Sequence, residues 1–197
     1  MAEAADRSRS GGLRAVLLGA PGSGKGTQAE FLAASLGVPA ISTGAMLRDA
    51  VARGSALGSK VEGIMACGGL VDDALMAEVV RERLGRPDAA GGFLLDGYPR
   101  TTGQAAMLDS ILAERQEKLD AVLLLEVPEA VLVERAVARK RADDGEEVVR
   151  ERLRVYREKT EPLVEHYERR NLLRRVDGNR TMREVTAASL KMLGRQA

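Results

Sequence analysis

A lysine and a threonine stand among four glycines in the stretch GAPGSGKGT, directly behind an apolar run near the start of the chain. The stretch matches the pattern G-x-x-x-x-G-K-[ST], except that Gly26 delays the hydroxyl of Thr27 by one residue. Successive backbone N–H groups of such a loop point at one anion, and Lys25 can reach the outer phosphates of a nucleotide. The flanking residues predict a buried strand over 13–19 and a helix over 27–37. We therefore interpret this stretch as a loop that binds nucleotide phosphate.

Two further segments place an arginine just beyond a predicted strand end. In FLLDGYPRT (93–101), Asp96 is a carboxylate that could position a magnesium ion through water, and Arg100 follows it. In ISTGAMLR (41–48), Arg48 lies near a helix start, where a cation opposes the helix macrodipole. The binding of an anion would explain an arginine at that position, whereas the local stability of the helix would not. Each segment taken alone also fits an ordinary turn followed by a solvated arginine.

The most highly charged part of the chain covers residues 134–160, where basic residues flank an Asp-Asp-Gly turn at 143–145. Such a run is usually a solvated helix face with ion pairs between residues four apart. Here the turn would bring the two basic ends toward each other, in a chain that already has a phosphate loop. Phosphoryl transfer between two nucleotides concentrates negative charge at one point, and several arginines on a mobile flap would neutralise it.

The composition predicts a single globular domain. The chain has 197 residues, of which 45% are hydrophobic and 30% are charged, and its net charge is +1. A charge this small gives no support for binding nucleic acid or a membrane surface. One cysteine, Cys67, excludes an internal disulfide and a Cys-rich zinc site. We expect a cytoplasmic protein, and we interpret the polar residues 1–12 as a disordered tail rather than a signal peptide.

Short apolar runs alternate with helical patterns along the chain. The predicted strands are residues 13–19, 38–43, 92–97, 121–127 and 172–178. The predicted helices are residues 27–37, 44–53, 55–66, 72–84, 101–115, 128–140, 146–169 and 181–194. Strands that are apolar throughout indicate a parallel sheet with helices on both faces. Ligands of such sheets bind at the carboxyl ends of the strands, and the motifs lie there or in the segments that follow.

Taken together, these motifs resemble the adenylate kinase family, whose members interconvert ATP plus AMP with two ADP. The motifs GAPGSGKGTQ, ISTGAMLR, GGLV, DGYPRT, the pair Arg135 and Arg139, RADD and RERL occur in the order of the family and close to its spacing. The resemblance implies an α/β P-loop fold of three layers around a central five-stranded parallel sheet. It defines one domain over 13–197, with an NMP-binding flap at 42–71 and a short lid at 138–144.

The resemblance also implies a role for each motif. The implied ATP-binding residues are Gly22, Ser23, Gly24, Lys25, Gly26, Thr27, Arg135, Arg139 and, through the backbone near it, Arg180. The implied AMP-binding residues are Thr43, Gly44, Arg48, Gly69, Leu70, Val71, Gly97, Tyr98, Pro99, Arg100, Gln104, Arg141 and Arg152. The implied catalytic residues are Lys25, Arg100, Arg139, Arg141 and Arg152.

The implied cofactor is Mg²⁺ bound with ATP. It would have no direct protein ligand, and Asp96 and Thr27 are the candidates that would contact it through water. No zinc is expected, because the lid is short and lacks the cysteines of the longer-lid relatives. The implied partners are ATP, AMP and ADP, with no nucleic acid and no membrane, and the expected state is a monomer.

One departure and two alternatives bear on the activity. At the position of Ala45, members of the family commonly have an aspartate that lies near the water shell of the metal. In this chain Asp96 lacks that second carboxylate. A UMP/CMP kinase is one alternative, but such relatives tend to have alanine at the position of Thr43 and a different pattern around Gln104. A nucleotide-binding module with weak turnover is the other alternative, and Ala45 is its only support, whereas the intact Lys25 and arginines oppose it.

Overall fold

The computed structural model describes residues 12–139, 141 and 144–195. Its strands are β1 (Arg14–Leu18), β2 (Ala40–Ser42), β3 (Phe93–Asp96), β4 (Ala121–Glu126) and β5 (Leu173–Asp177). Its α-helices are α1 (Lys25–Leu36), α2 (Thr43–Ala52), α3 (Ala56–Ala66), α4 (Asp73–Leu84), α5 (Thr102–Glu114), α6 (Glu129–Ala138), α7 (Glu146–Val155), α8 (Pro162–Arg169) and α9 (Met182–Met192). The predicted tail before Gly12 and the predicted lid residues 140, 142 and 143 lie outside the described residues.

The five strands form one parallel sheet in the order β2-β3-β1-β4-β5. Side chains of the central strands alternate between two buried faces, so Val16 and Leu18 enter one core while Ala15 and Leu17 enter the other. Both faces exclude water, which is why these strands read as continuous apolar runs. The predicted α/β fold with a central five-stranded parallel sheet is confirmed.

Helices cover the sheet on both sides and create the two cores. On one face α4, α5 and α8 contribute buried side chains such as Val80, Leu108 and Leu163. On the other face α1 and α9 pack together and contribute Leu32 and Val185. Full burial of one such side chain stabilises the fold by about 1.5–3 kcal/mol before entropy is subtracted. None of the helices in the described ranges is both long enough and apolar enough to span a bilayer.

The strand order places the ends of β1 and β3 side by side. Leu17 of β1 lies opposite Asp96 of β3 in the parallel register, so the loop after β1 begins next to that carboxylate. The chain leaves β1 for β2 on one side of the sheet, whereas β4 lies on the other side of β1. A parallel sheet leaves a crevice for ligands where its connections diverge in this way.

The predicted helix over 146–169 is interrupted. Between α7 and α8 the residues Tyr156–Thr160 form a π-helical segment, in which Glu161 N–H donates to the carbonyl of Tyr156 at 2.9 Å, five residues back. Pro162 has no N–H to donate, so the backbone around it cannot keep the regular α-helical pattern. Segments of this kind are frequent at functional sites, and residues of this one line a cavity of about 710 Å³.

Candidate active site

The glycine-rich stretch forms the loop between β1 and α1. Gly22 has a φ of +87°, and a Cβ at this position would lie 2.3 Å from the carbonyl oxygen of Leu132, so only glycine fits. Helix α1 begins at Lys25, and no side chain caps its first turn, because Gly24 precedes it. A helix start without a side-chain cap leaves backbone N–H groups to satisfy, and these groups suit an anion.

The side chain of Lys25 folds back over this loop. Its Nζ donates to the carbonyl oxygens of Gly19 at 2.6 Å and Ala20 at 2.9 Å, and to Oγ of Ser23 at 3.3 Å. Burial of the ammonium group lowers the pKa of Lys25 to about 8, the negative charge of Asp96 opposes this shift, and three nearby arginines add to it. Lys25 therefore carries its charge at neutral pH in a region already rich in cations.

Asp96 lies at the carboxyl end of β3, where it is nearly buried. Its Oδ2 accepts a hydrogen bond from the hydroxyl of Ser42 at 3.1 Å, and its backbone carbonyl accepts one from Thr43 at 3.3 Å. A Cβ at Gly26 would lie 3.8 Å from Oδ2, so the carboxylate borders the first turn of α1. One carboxylate at this position fits a magnesium ion that is held mainly by phosphate and water.

No direct metal centre is present within the part of the chain that the structure describes. No group of three or more His, Cys, Asp and Glu side chains there is arranged to hold a metal ion. Thr27 lines the same cavity as Asp96, so both side chains are placed where they could contact a magnesium ion through water. The predicted absence of zinc stays a prediction.

One cavity of about 710 Å³ joins the loop to the basic residues. All five residues predicted to be catalytic line it, although they are spread over more than 120 positions of the chain. Most of the other predicted residues border it as well. The lining includes Gly22, Gly24, Lys25, Gly26, Thr27, Gly44, Arg48, Leu70, Asp96, Gly97, Pro99, Arg100, Arg135, Arg139, Arg141 and Arg152.

Asp144 binds basic residues of the predicted lid and of α7. Its buried carboxylate accepts two hydrogen bonds from the guanidinium of Arg139, at 2.9 and 2.6 Å, and one from Arg152 at 3.4 Å. The backbone N–H of Arg141 donates to the same carboxylate at 2.9 Å. Burial alone would raise the pKa of Asp144, but these donors hold it below its usual value. The carboxylate therefore stays charged at neutral pH and positions two guanidinium groups at the cavity.

A second, smaller pocket opens between α2, the segment 68–71 and the start of α5. Ten of the residues predicted to bind AMP line it, together with four to which no role was assigned from the sequence. The predicted residues are Thr43, Gly44, Arg48, Gly69, Leu70, Val71, Gly97, Arg100, Gln104 and Arg152. The additional residues are Leu47, Met65, Gly68 and Met76. Arg48, Arg100 and Arg152 also line the large cavity, so the two spaces meet at these arginines.

Three predicted residues, Ser23, Tyr98 and Arg180, line neither of these two spaces. The ring of Tyr98 is fully buried in the core under α5 and lines neither cavity. Ser23 is a buried residue of the loop itself, and its hydroxyl accepts from Lys25. Arg135 lines the large cavity and donates to the backbone carbonyl of Gly178 at 3.1 Å, whereas the exposed Arg180 donates to Asp177 at 2.9 Å. The roles assigned to these and to all the other site residues stay predictions.

Several residues that shape the site were not predicted from the sequence. Ser42 caps α2 and binds Asp96, Thr160 donates to the backbone of Arg100, and Asp73 binds the side chain of Gln104. A serine before a helix and an aspartate at a helix start are ordinary capping signals, so the sequence offered no reason to connect them with the site. Their function depends on partners 31 to 60 residues away.

Known proteins resemble this chain over nearly its whole length. A family model described as adenylate kinase matches residues 17–172. The adenylate kinase of Nocardia farcinica is 50% identical over 183 residues, which are 93% of this chain and 100% of that protein. The adenylate kinases of Sinorhizobium medicae and Mycolicibacterium smegmatis are 47% and 48% identical, each over 92% of this chain and 100% and 99% of their own lengths. With these matches and its fold, the chain belongs to the adenylate kinase family.

Proposed function

We propose that this protein catalyses the reversible transfer of a phosphoryl group from ATP to AMP, which gives two ADP and balances the adenine nucleotides. The observation that supports this most directly is the large cavity that joins the phosphate loop to the basic residues. Lys25 lies at its phosphate-loop side, and arginines from four other segments surround the space between that loop and the smaller pocket. If the phosphates of two nucleotides meet at this point, these cations would neutralise their combined negative charge.

The donor phosphates would bind to the loop and the start of α1. Backbone N–H groups there would bind their oxygens, and the ammonium of Lys25 would exchange the carbonyls of Gly19 and Ala20 for phosphate oxygens. Arg135 and Arg139 would complete the ATP site. A negatively charged ligand favours the protonated lysine, so binding ATP would raise the lowered pKa of Lys25.

The acceptor phosphate would bind to Arg48 and Arg100. The guanidinium of Arg48 lies over Gly44, where a Cβ would be 3.3 Å from its Nη1, and Nε of Arg100 donates to the carbonyl of Gly97 at 2.9 Å. Both arginines thus lie near the junction of the two spaces, and the hydrogen bond to Gly97 holds Arg100 there. The base would enter the smaller pocket, against the backbone of 69–71 and the amide of Gln104.

In the transfer step an oxygen of the AMP phosphate attacks the γ-phosphorus of ATP, and the bond from that phosphorus to the β,γ-bridging oxygen breaks. The electron pair of the broken bond leaves on ADP, and no covalent bond to the protein forms. Lys25, Arg139, Arg141 and Arg152 would stabilise the charge on the moving group. The magnesium ion carried by ATP would supply further positive charge, and Asp96 and Thr27 would hold its water shell.

The predicted mobile parts fit this arrangement. Helices α2 and α3 occupy the range 42–71 and would act as the flap over AMP, and residues 138–144 would act as a short lid over ATP. The near-zero net charge supports an enzyme that binds small anions at one site and neither nucleic acid nor membrane at its surface. We also propose that the enzyme is a monomer and that it acts in the cytoplasm.

A coupled assay of ADP formation tests the proposal and separates its alternatives. ATP with Mg²⁺ is offered with AMP, CMP or UMP, and the Lys25→Met variant serves as the control for a contaminating kinase. We expect AMP to have the highest kcat/KM and the variant to lose at least tenfold in kcat, since one lost charge-assisted contact costs about 1.4 kcal/mol or more. A preference for CMP or UMP would favour the pyrimidine kinase, and binding of ATP without turnover would favour a regulatory module.

A further inference from the structure

The side-chain amide of Gln104 is held at both ends. Its Nε2 donates to Oδ1 of Asp73 at 2.8 Å, and its Oε1 accepts from the backbone N–H of Arg100 at 2.7 Å. Gln104 is only 2% exposed, so no bulk water competes for these contacts. A carboxylate only accepts hydrogen bonds and a backbone N–H only donates them, so the two partners permit one orientation of the amide.

Asp73 is itself anchored at the start of α5. Its Oδ2 accepts from the hydroxyl of Thr101 at 2.8 Å, and that hydroxyl also caps α5 by accepting from the N–H of Gln104. A Cβ at Gly103 would lie 2.8 Å from Oδ2 of Asp73, so glycine at this position makes room for the carboxylate. The capping of α4 does not need Asp73, because the neighbouring Asp72 accepts from Ala74 and Leu75.

We propose that Asp73 is a positioning residue that sets which bases the acceptor site prefers, by fixing the orientation of the Gln104 amide. This inference rests on the proposed function, in which Gln104 faces the acceptor base. After binding Asp73 and Arg100, the amide retains one N–H on Nε2 and one lone pair on Oε1. The orientation that Asp73 enforces decides which end of the amide offers the donor and which end offers the acceptor.

A fixed donor and acceptor pair distinguishes amino bases from oxo bases. Adenine presents a ring nitrogen that accepts and an amino group that donates, and cytosine presents the same pair. Hypoxanthine and uracil present a ring N–H that donates and an oxygen that accepts, which is the reverse pattern. A buried amide that cannot turn over therefore favours AMP over IMP and CMP over UMP, while the size of the pocket discriminates purine from pyrimidine.

The test measures kcat/KM for AMP and IMP, and for CMP and UMP, with the wild-type protein and Asp73→Asn. Asparagine has nearly the size of aspartate but can offer an N–H to either end of the amide, so only the backbone N–H of Arg100 still favours the original orientation. We expect the AMP to IMP ratio to fall by about tenfold, or about 1.4 kcal/mol, mainly through a higher KM for AMP. The CMP to UMP ratio should fall in the same direction, and the KM for ATP should change by less than about twofold.

Two controls distinguish positioning from a general structural effect. Asp72→Asn keeps a good helix cap next to the tested residue and should leave both ratios unchanged. In a Gln104→Leu background, Asp73→Asn should change the ratios by less than about twofold, because the residue through which Asp73 acts is gone. Thermal unfolding of each variant verifies that the protein is folded.

The outcomes separate this inference from the proposed function. A wild-type protein that forms no ADP from ATP and AMP overturns the proposed function and the inference with it. A wild-type protein that prefers AMP, together with unchanged ratios in Asp73→Asn, overturns the inference alone. An equal loss for all four acceptors, or an equal change in Asp72→Asn, also overturns it, because either result indicates a structural effect of the α4 start.

Discussion

The hydroxyl of Thr160 donates a hydrogen bond of 2.9 Å to the backbone carbonyl of Arg100, sixty residues earlier in the chain. Thr160 ends the π-helical segment that follows α7, and it is 5% exposed. On the other side of the same residue, the N–H of Arg100 donates to Gln104. Both backbone groups of Arg100 are thus held by buried side chains, which connects the helix carrying Arg152 to the arginine at the junction of the two pockets.

Replacing Thr160 by valine should weaken the acceptor site. Valine keeps the shape of threonine but cannot donate, so the carbonyl of Arg100 loses a partner in a water-poor environment. We expect a loss of about 1–2 kcal/mol in the free energy of unfolding and a severalfold rise in the KM for AMP, with little change in the KM for ATP. Denaturant titration and steady-state kinetics measure both effects. Thr160→Ser retains the hydroxyl and is the matched control, and equal behaviour of the two variants would contradict the prediction.

The lowered pKa of Lys25 predicts an alkaline limit to ATP binding. The protonated amine is the active form, so kcat/KM for ATP should decline as the pH rises through about 8, where the ligand-free enzyme loses this proton. ATP favours the protonated form, so the decline in kcat should occur at higher pH. Lys25→Arg remains charged over this range, and its pH profile should lack the limb near 8. Coincident profiles for the two proteins would assign the limb to another group.

The same shift has a defined consequence for stability. The pKa of Lys25 in the folded protein lies below its ordinary value of 10.5, so the unfolded chain binds more protons between about pH 8 and 10.5. The buried ammonium therefore costs stability below pH 8, and this cost is relieved as the pH rises through that window. Comparison of the unfolding free energy of wild type and Lys25→Met at pH 7 and pH 10 measures the effect. The unfolding free energy of wild type, relative to that of Lys25→Met, should be higher at pH 10 than at pH 7.

Ala45→Asp should strengthen the binding of magnesium. Ala45 is exposed in the first turn of α2 and lines the large cavity, and its N–H donates to Ser42, whose hydroxyl binds Asp96. A carboxylate at this position would add a second anion near the water shell of the metal. We expect the Mg²⁺ concentration for half-maximal rate to fall roughly two- to fivefold, or about 0.5–1 kcal/mol. Superimposable Mg²⁺ titrations would mean that Asp96 and Thr27 suffice.

The substitution at Ala45 should not cost stability. The first turn of α2 has no acidic residue, and a carboxylate there interacts favourably with the helix macrodipole by about 0.3–1 kcal/mol. Ala45→Asn is the matched control, since it has the same size without the charge and should leave the Mg²⁺ dependence unchanged.

Thr43→Ala should affect the acceptor more than the donor. Thr43 is buried, lines the smaller pocket and donates to the carbonyl of Asp96 at 3.3 Å. Loss of the hydroxyl should raise the KM for AMP about three- to tenfold and narrow the preference for AMP over CMP, with the KM for ATP nearly constant. Steady-state kinetics with both acceptors measure this. Thr43→Ser keeps the hydroxyl and should retain the preference, and an unchanged ratio in the alanine variant would remove Thr43 from the base site.

Much of the fold could be predicted because its signals are local. All five predicted strands are present, since a strand buried on both faces must be apolar along its length, as in β1 and β4. The phosphate loop was recognisable because its backbone needs glycine at positions such as Gly22, where a Cβ would collide with Leu132. The helix boundaries differ by a few residues at most, apart from the π-helical segment in the predicted helix over 146–169.

The sequence by itself determined the strands, the loop and the supply of cations, because each depends on the chemistry of neighbouring residues. The tertiary structure alone decided which cations meet and what holds them: Asp144 between Arg139 and Arg152, Thr160 on Arg100, and Asp73 on Gln104. In the sequence these partners are indistinguishable from solvated or capping side chains. Their role follows from burial beside a specific group, and only the packing of distant segments excludes the water that would otherwise compete for the same hydrogen bonds.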